Sequence, residues 1–432
     1  MICKNITKAN GHIFFAGQDV TELAKQYGTP LYLMDEDKIR ENCRIYTNAF
    51  KKHFGPTSQP LFASKSCSFK RIYEIMTEEG MGIDVVSSGE MYTAKMAGFD
   101  LSHAYFHGSC KTDFDIAYGM ENGIGHFVAD NFEEIDGIEK EAAKRGIVQK
   151  VVLRLSPGVD PHTYEEVATG KVDSKFGTAI ETGQAEELVL HTLQQKHIRL
   201  DGFHCHIGSQ VFGEDIFERG AVIMLEFIAD MYKKHGFKTA ILDLGGGYGV
   251  PYVESDPVLD VDKKVSEVAA AVHAACDRLG IEEPEIHMEP GRSIVADTGM
   301  TIYTVGSVKK ITGYKNYVAI DGSMADHPRY ALYKSRYTCL CANKADEECT
   351  MEADIVGRCC ESGDIIQPAV KVPASIRRDD MIAVCTTGAY HYSMASNYNR
   401  LCKPPIVMLK GGKESYVAVA RETFEDLCKC DR

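Results

Sequence analysis

From about residue 30 to 292, short apolar runs alternate with segments whose apolar residues recur at helical spacing. That is the pattern of repeated βα units around a parallel sheet. Eight runs can be counted: 61–65 (LFASK), 83–87 (IDVVS), 104–108 (AYFHG), 126–130 (HFVAD), 151–156 (VVLRLS), 200–208 (LDGFHCHIG), 240–247 (AILDLGGG) and 285–291 (EIHMEPG). Eight such strands in sequence predict an α/β fold of the (β/α)8 TIM-type barrel class rather than an open sheet. Helix punctuation agrees, since Asn131 with Glu134 three residues later forms a start of capping-box type and Gly146 marks a stop. Beyond residue 293 the texture changes to β-rich runs separated by turn residues, such as MTIYTVGSVKKIT, MIAVCTTG and SYVAVAR. The expected organisation is a segment 1–30 contributing to a β domain, a barrel over 31–292, and a C-terminal mainly β domain over 293–432.

Composition narrows the partners. The chain has 432 residues, 44% hydrophobic and 25% charged, an ordinary globular balance. Its net charge of −14 works against non-specific binding to nucleic acid or to an anionic membrane surface. The first residues, MICKNITKANGHIFFAG, lack the apolar core of a secretory signal, and no stretch offers the roughly 20 apolar residues needed to span a bilayer. Fifteen cysteines, an odd number, cannot all pair, and free thiols suit a reducing, cytoplasmic setting. Cys339, Cys341, Cys349, Cys359 and Cys360 fall in one stretch, but their spacing lacks the paired knuckles of a zinc site, so no metal is expected.

Polar residues at the C-terminal ends of barrel strands are the first candidates for chemistry. Lys65 ends the first strand, Asp84 lies in the second, Arg154 in the fifth, His206 and Ser209 close the sixth, and Glu289 to Arg292 close the eighth. Gly245-Gly246-Gly247-Tyr248-Gly249 fails the dinucleotide pattern because Val250 holds its last position, and no G-K-[ST] follows. Three successive glycines between strand and helix can still offer backbone N–H groups to one phosphate. A lysine ending a buried strand, a phosphate-sized glycine turn and a carboxylate at Glu289 are together the parts needed to hold pyridoxal phosphate (PLP). The lysine would form a Schiff base, and the carboxylate would keep the ring nitrogen protonated and the ring a strong electron sink.

LFASKSC, GIDVVSSGEMYTAKMAGF, TGKVDSKFG, HCHIGSQ, LDLGGGYG, EPGRSIVADTG, CCESGD and GAYHYSMASNYN occur in this order. In them the chain resembles the PLP-dependent decarboxylases of alanine-racemase-like fold, most closely the diaminopimelate decarboxylases, over nearly its whole length. The resemblance implies that Lys65 binds the cofactor covalently, His206 stacks on its ring and Glu289 pairs with its ring nitrogen. It places Asp84 and Arg154 around the cofactor, and Ser209, Gly246, Gly247, Pro290, Gly291 and Arg292 on its phosphate side. Cys360 and Glu361 match a cysteine and an acid that enter the site from the partner subunit of a homodimer, and Tyr390 a tyrosine touching cofactor and substrate. Arg292, Arg329 and Tyr333 match positions that hold the distal end of the substrate.

Three positions depart from the family pattern: Ser66-Cys67 where Ala-Asn is usual, Arg358-Cys359 where a proline-containing run is common, and Tyr330 in place of proline. The implied activity is decarboxylation of meso-2,6-diaminopimelate to L-lysine, with Cys360 returning a proton to the α-carbon. The alternatives are a decarboxylase of ornithine, lysine or arginine, or a regulatory homologue that holds PLP without turnover. Glu361 within CESGD and Arg329 favour a distal carboxylate over a distal amine, and the presence of Lys65 and Cys360 favours turnover.

Overall fold

The computed structural model describes residues 2–159, 174–213 and 215–432. The TGKVDSKFG motif lies outside these residues up to Asp173. Two compact units divide the chain: Asn42–Gly249 with Leu259–Gly291, and Met1–Glu41 with Val250–Val258 and Arg292–Arg432.

The first unit is a closed parallel barrel. Its strands are β1 (Gln59–Ala63), β2 (Gly82–Val85), β3 (Ala104–Phe106), β4 (His126–Ala129), β5 (Gln149–Ser156), β6 (Ile198–His204), β7 (Ile241–Asp243) and β8 (Glu285–Met288). Each pairs with the next, and β8 returns to β1 through His287 against Gln59 and Met288 against Pro60. All eight apolar runs are therefore strands; the fifth ends with its run at Ser156, and the others end one to four residues before theirs. Leu61, Tyr105, Val128 and Val152 form one buried cluster in this unit. The helix Phe132–Arg145 begins and ends where the punctuation predicts: Asn131 Oδ1 accepts from Glu134 N–H at 3.0 Å, and Gly146 is left-handed at φ 66°. The reciprocal half of the capping box is missing. The buried Glu134 carboxylate instead accepts from Asp130 N–H at 2.8 Å and pairs with Lys111 Nζ at 3.2 Å.

The second unit is mainly β. Leu31–Asp35 lies between Gly299–Lys310, which runs antiparallel to it, and Ile406–Lys410, which runs parallel. All five of its residues are buried, and Leu31 and Leu33 share one core with Met300, Ile302, Val407 and Leu409. Periodicity began the barrel at residue 31, and here the structure corrects it. An all-buried strand reads the same in a barrel and in a sheet covered on both faces, and pairing with residues beyond 299 places this one in the β unit. The short segment Val250–Val258 groups with that unit too.

Candidate active site

In the barrel unit, Lys65 stands in the single helical turn Ser64–Ser66 just past β1. It is exposed between two buried serines, so it does not end a buried strand. The chain leaves the strand at Ala63, and Ser64 N–H donates to Asp84 Oδ1 at 3.2 Å, tying the turn to β2. Asp84 is wholly buried. Its carboxyl is pushed up to about 7, first by burial and then by Glu289, against the opposing pull of Lys65 and Arg154.

Glu289, one residue past β8, is the electrostatic centre of this unit. Its Oε1 is 2.5 Å from His107 Nε2, beyond β3, and its Oε2 is 3.0 Å from His204 Nε2, at the end of β6. Burial works to raise its pKa, but the two rings prevail and hold the carboxyl well below the usual carboxylate range. Burial also lowers both histidines, His204 to about 3, while each ring turns its Nε2 towards the carboxylate. These three side chains put their ligand atoms within 4.8 Å of one another, a spacing that would suit a metal ion. Asp243, at the end of β7, goes the other way: burial and then Glu289 raise its carboxyl well above the usual range, while its Oδ1 accepts from Gly245 N–H at 2.8 Å. Two neighbouring carboxyl groups thus have their pKa values driven apart.

The glycine turn packs backbone against backbone. A Cβ on Gly246 would come within 2.1 Å of Glu289 O, and one on Gly247 (φ +119°) within 2.1 Å of Gly208 O. Val211 N–H donates to Gly247 O at 2.9 Å, linking the turn to the loop that carries half-buried Ser209. Gly246 N–H donates to His206 Nδ1 at 3.2 Å, which fixes the orientation of that ring. Burial, then Lys65, holds His206 well below its ordinary pKa, so its face is that of a neutral ring. Arg154 has its Nε 3.9 Å from Asp130 Oδ1 and its guanidinium 4.6 Å from the centre of the Phe176 ring. Ala63 N–H donates to Pro290 O at 3.2 Å, and a Cβ on Gly291 would lie 2.7 Å from that of Ala63, so Pro290 and Gly291 close β8 against the turn of Lys65. A reachable amine, a desolvated ionised carboxylate, a flat neutral ring and a side-chain-free turn fit PLP.

The β unit gathers a second set. Arg292 opens the short helix Arg292–Val295 rather than closing a barrel strand; its Nη1 donates to Tyr252 Oη at 2.6 Å, and its guanidinium lies 4.8 Å from the centre of the Tyr390 ring. Arg329 is buried at the start of the helix Arg329–Tyr333, 4.4 Å from the Tyr333 ring centre and 5.2 Å from that of Tyr390. Its Nε has no partner among the described residues. Tyr330, in the same helix, leaves Arg329 buried. Cys360 and Glu361 are exposed in the loop after the strand Met351–Val356, where Cys360 N–H donates to Asn399 Oδ1 at 2.8 Å and Glu361 Oε1 accepts from Gly363 N–H at 3.1 Å. Where the family has a proline-containing run, Arg358 N–H donates to Gly322 O and Cys359 N–H to Asp364 Oδ2, so hydrogen bonds constrain the loop instead.

Sequence reasoning missed His107, His204 and Asp243 in the barrel and Tyr252 in the β unit. The signal was present for the first three, each a polar residue at or one past the end of an apolar strand.

The comparisons with known proteins agree with this chemistry. Residues 36–296 match the family model described as "Pyridoxal-dependent decarboxylase, pyridoxal binding domain". The chain is 43% identical to a diaminopimelate decarboxylase of Staphylococcus aureus, covering 97% of each protein. It is 41% identical to that of Bacillus subtilis, over 98% of this chain and 95% of the relative. Among solved structures, the diaminopimelate decarboxylase of M. jannaschii in complex with L-lysine superposes with a TM-score of 0.91 at 30% identity, over 100% of this chain and 98% of that one. A carboxylate held ionised inside a (β/α)8 barrel, a lysine at the mouth of its first strand and full-length likeness converge: the chain belongs to the diaminopimelate decarboxylase family of PLP-dependent decarboxylases.

Proposed function

We propose that this protein removes one carboxyl group from meso-2,6-diaminopimelate to give L-lysine, using PLP bound at Lys65. When bound, PLP supplies an electron sink for the pair released as carbon dioxide leaves. The chain's own residues set its strength and its access. Glu289, kept ionised between His107 and His204, would pair with the cofactor's ring nitrogen and keep it protonated. His206 would cover the cofactor's ring, and the loops of Ser209, Gly246 and Gly247 would hold its phosphate. Arg329, with Arg292, Tyr333, Glu361 and Tyr390, holds the distal end of the substrate. Cys360 returns the proton to the α-carbon from the partner subunit of a homodimer, a role supported by its place on an exposed loop of the β unit. A cytoplasmic setting is supported by fifteen free cysteines, and among the described residues no helix is long and apolar enough to cross a membrane.

The observation that carries the substrate is Arg329, a buried guanidinium packed on tyrosines, whose Nε has no partner among the described residues and whose Nη1 donates to the soft acceptor Met394 Sδ at 3.8 Å. A desolvated guanidinium this weakly satisfied calls for an anionic ligand, and two parallel N–H donors suit a carboxylate. Carbon dioxide release from diaminopimelate, lysine and ornithine, measured side by side on purified holoenzyme, tests the proposal. Diaminopimelate should be preferred by orders of magnitude, and equal or faster release from ornithine or lysine would overturn it.

A further inference from the structure

Tyr390 has a left-handed backbone, φ 62°, which a bulky L side chain rarely adopts and which persists only where its surroundings fix it. Its ring sits beneath two guanidiniums, Arg292 and Arg329, both buried. Tyr252 and Tyr333 each hold one of these cations, but Tyr390 is the ring they share, so the backbone at 390 acts on both charges at once.

The run that carries Tyr390 is held at both ends. Upstream, a Cβ on Gly388 would meet Val295 O at 1.8 Å, so the chain passes there with no room for a side chain. Downstream, His391 is fully buried and its Nδ1 lies 2.9 Å from Ala389 O, two residues back. A carbonyl only accepts, so Nδ1 carries the ring proton and donates it, closing a small ring of atoms around Tyr390. The imidazole is walled by His327, centre to centre 4.5 Å, and by Tyr337 at 5.1 Å. Water is shut out, leaving the carbonyl without a competing donor. Burial, followed by the nearby His327 and Arg329, holds His391 well below its ordinary pKa, so the donor stays on a neutral ring.

We propose that His391 is a positioning residue: its hydrogen bond to Ala389 clamps the left-handed Tyr390 and thereby sets Arg292 and Arg329 for the carboxylate-bearing end of the substrate. The inference rests on the function proposed above. The hydrogen bond and the volume of the His391 ring can be varied separately.

Two variants do so. His391→Leu removes the donor at similar volume, and His391→Asn leaves a gap but keeps an amide that can donate to the same carbonyl. In purified holoenzyme, His391→Leu should raise KM for diaminopimelate about tenfold or more with kcat little changed, as expected when a binding group is displaced. His391→Asn should bring KM back to within about threefold of the parent. A core residue of no special role would give the opposite order, with the cavity-forming asparagine worse than the leucine; that order, or an unchanged KM in His391→Leu, overturns the proposal. If His391→Leu does not fold, His391→Ala replaces it with the same expectation. A parent enzyme that releases no carbon dioxide from diaminopimelate refutes the functional reading itself, and this inference with it.

Discussion

His107 Nε2 and Glu289 Oε1 stand 2.5 Å apart, both buried, and His204 approaches the other carboxylate oxygen from a different strand. A charge that would be costly in a desolvated barrel is kept by the two flanking imidazoles. Glu289→Gln keeps the shape and removes the charge. Decarboxylation should fall by about 10²–10³, the usual cost of losing one preorganised electrostatic group. Cofactor should remain attached, and borohydride reduction followed by peptide mapping should still find the pyridoxyl group on Lys65. A label elsewhere would refute Lys65 as the attachment point.

Arg329→Ala should weaken turnover of diaminopimelate by at least about 30-fold, the lower end for truncating one partner of a desolvated charge pair. Any slow turnover of lysine, which has no distal carboxylate, should change little. Kinetics with both substrates check this, and parent-like handling of diaminopimelate would remove Arg329 as the selector.

Lys65 belongs to the barrel unit and Cys360 to the β unit. If partner subunits complete each other's sites, inactive Lys65→Ala mixed with inactive Cys360→Ala should regain activity, because one site of a mixed dimer holds both groups intact. The assay needs demonstrated subunit exchange. Exchange without recovery would mean that each site is built from one chain.

Acid should destabilise the protein through its buried histidines. His287, inside β8, has no partner for either ring nitrogen among the described residues and is lowered by burial to about 3, while the unfolded chain titrates near 6.5. Between those values the unfolded state holds the extra proton, so this contribution is complete above pH 6.5 and is lost as pH falls towards 3. Urea midpoints of His287→Leu and parent at pH 7 and pH 5 should diverge, the variant losing up to about 1.4 kcal/mol less per pH unit. Parallel acid limbs would contradict a neutral His287.

The barrel was legible because eight apolar runs at βα spacing leave little freedom in topology, and the strand ends pointed to Lys65, Asp84, His206 and Glu289. What periodicity could not carry was which unit a wholly buried segment joins. Leu31–Asp35 is apolar on both faces, so its alternation is silent, and its partners lie beyond residue 299. His107 and His204 escaped for a related reason. A histidine at a strand end is commonly an ordinary core residue, and only the approach of Glu289 from a third strand distinguishes these two.

The strand Leu31–Asp35 also constrains the order of events during synthesis. One neighbour, Gly299–Lys310, and the other, Ile406–Lys410, are made long after it. The whole barrel sequence leaves the ribosome first, so barrel strands can pair while this segment, buried on every side in the finished sheet, still has no partner. Closing so long a loop adds little to its entropic cost, which grows only slowly with length, but it lengthens the wait. During that interval a largely apolar strand is open to neighbouring nascent chains, so this segment is where a chaperone would be needed most.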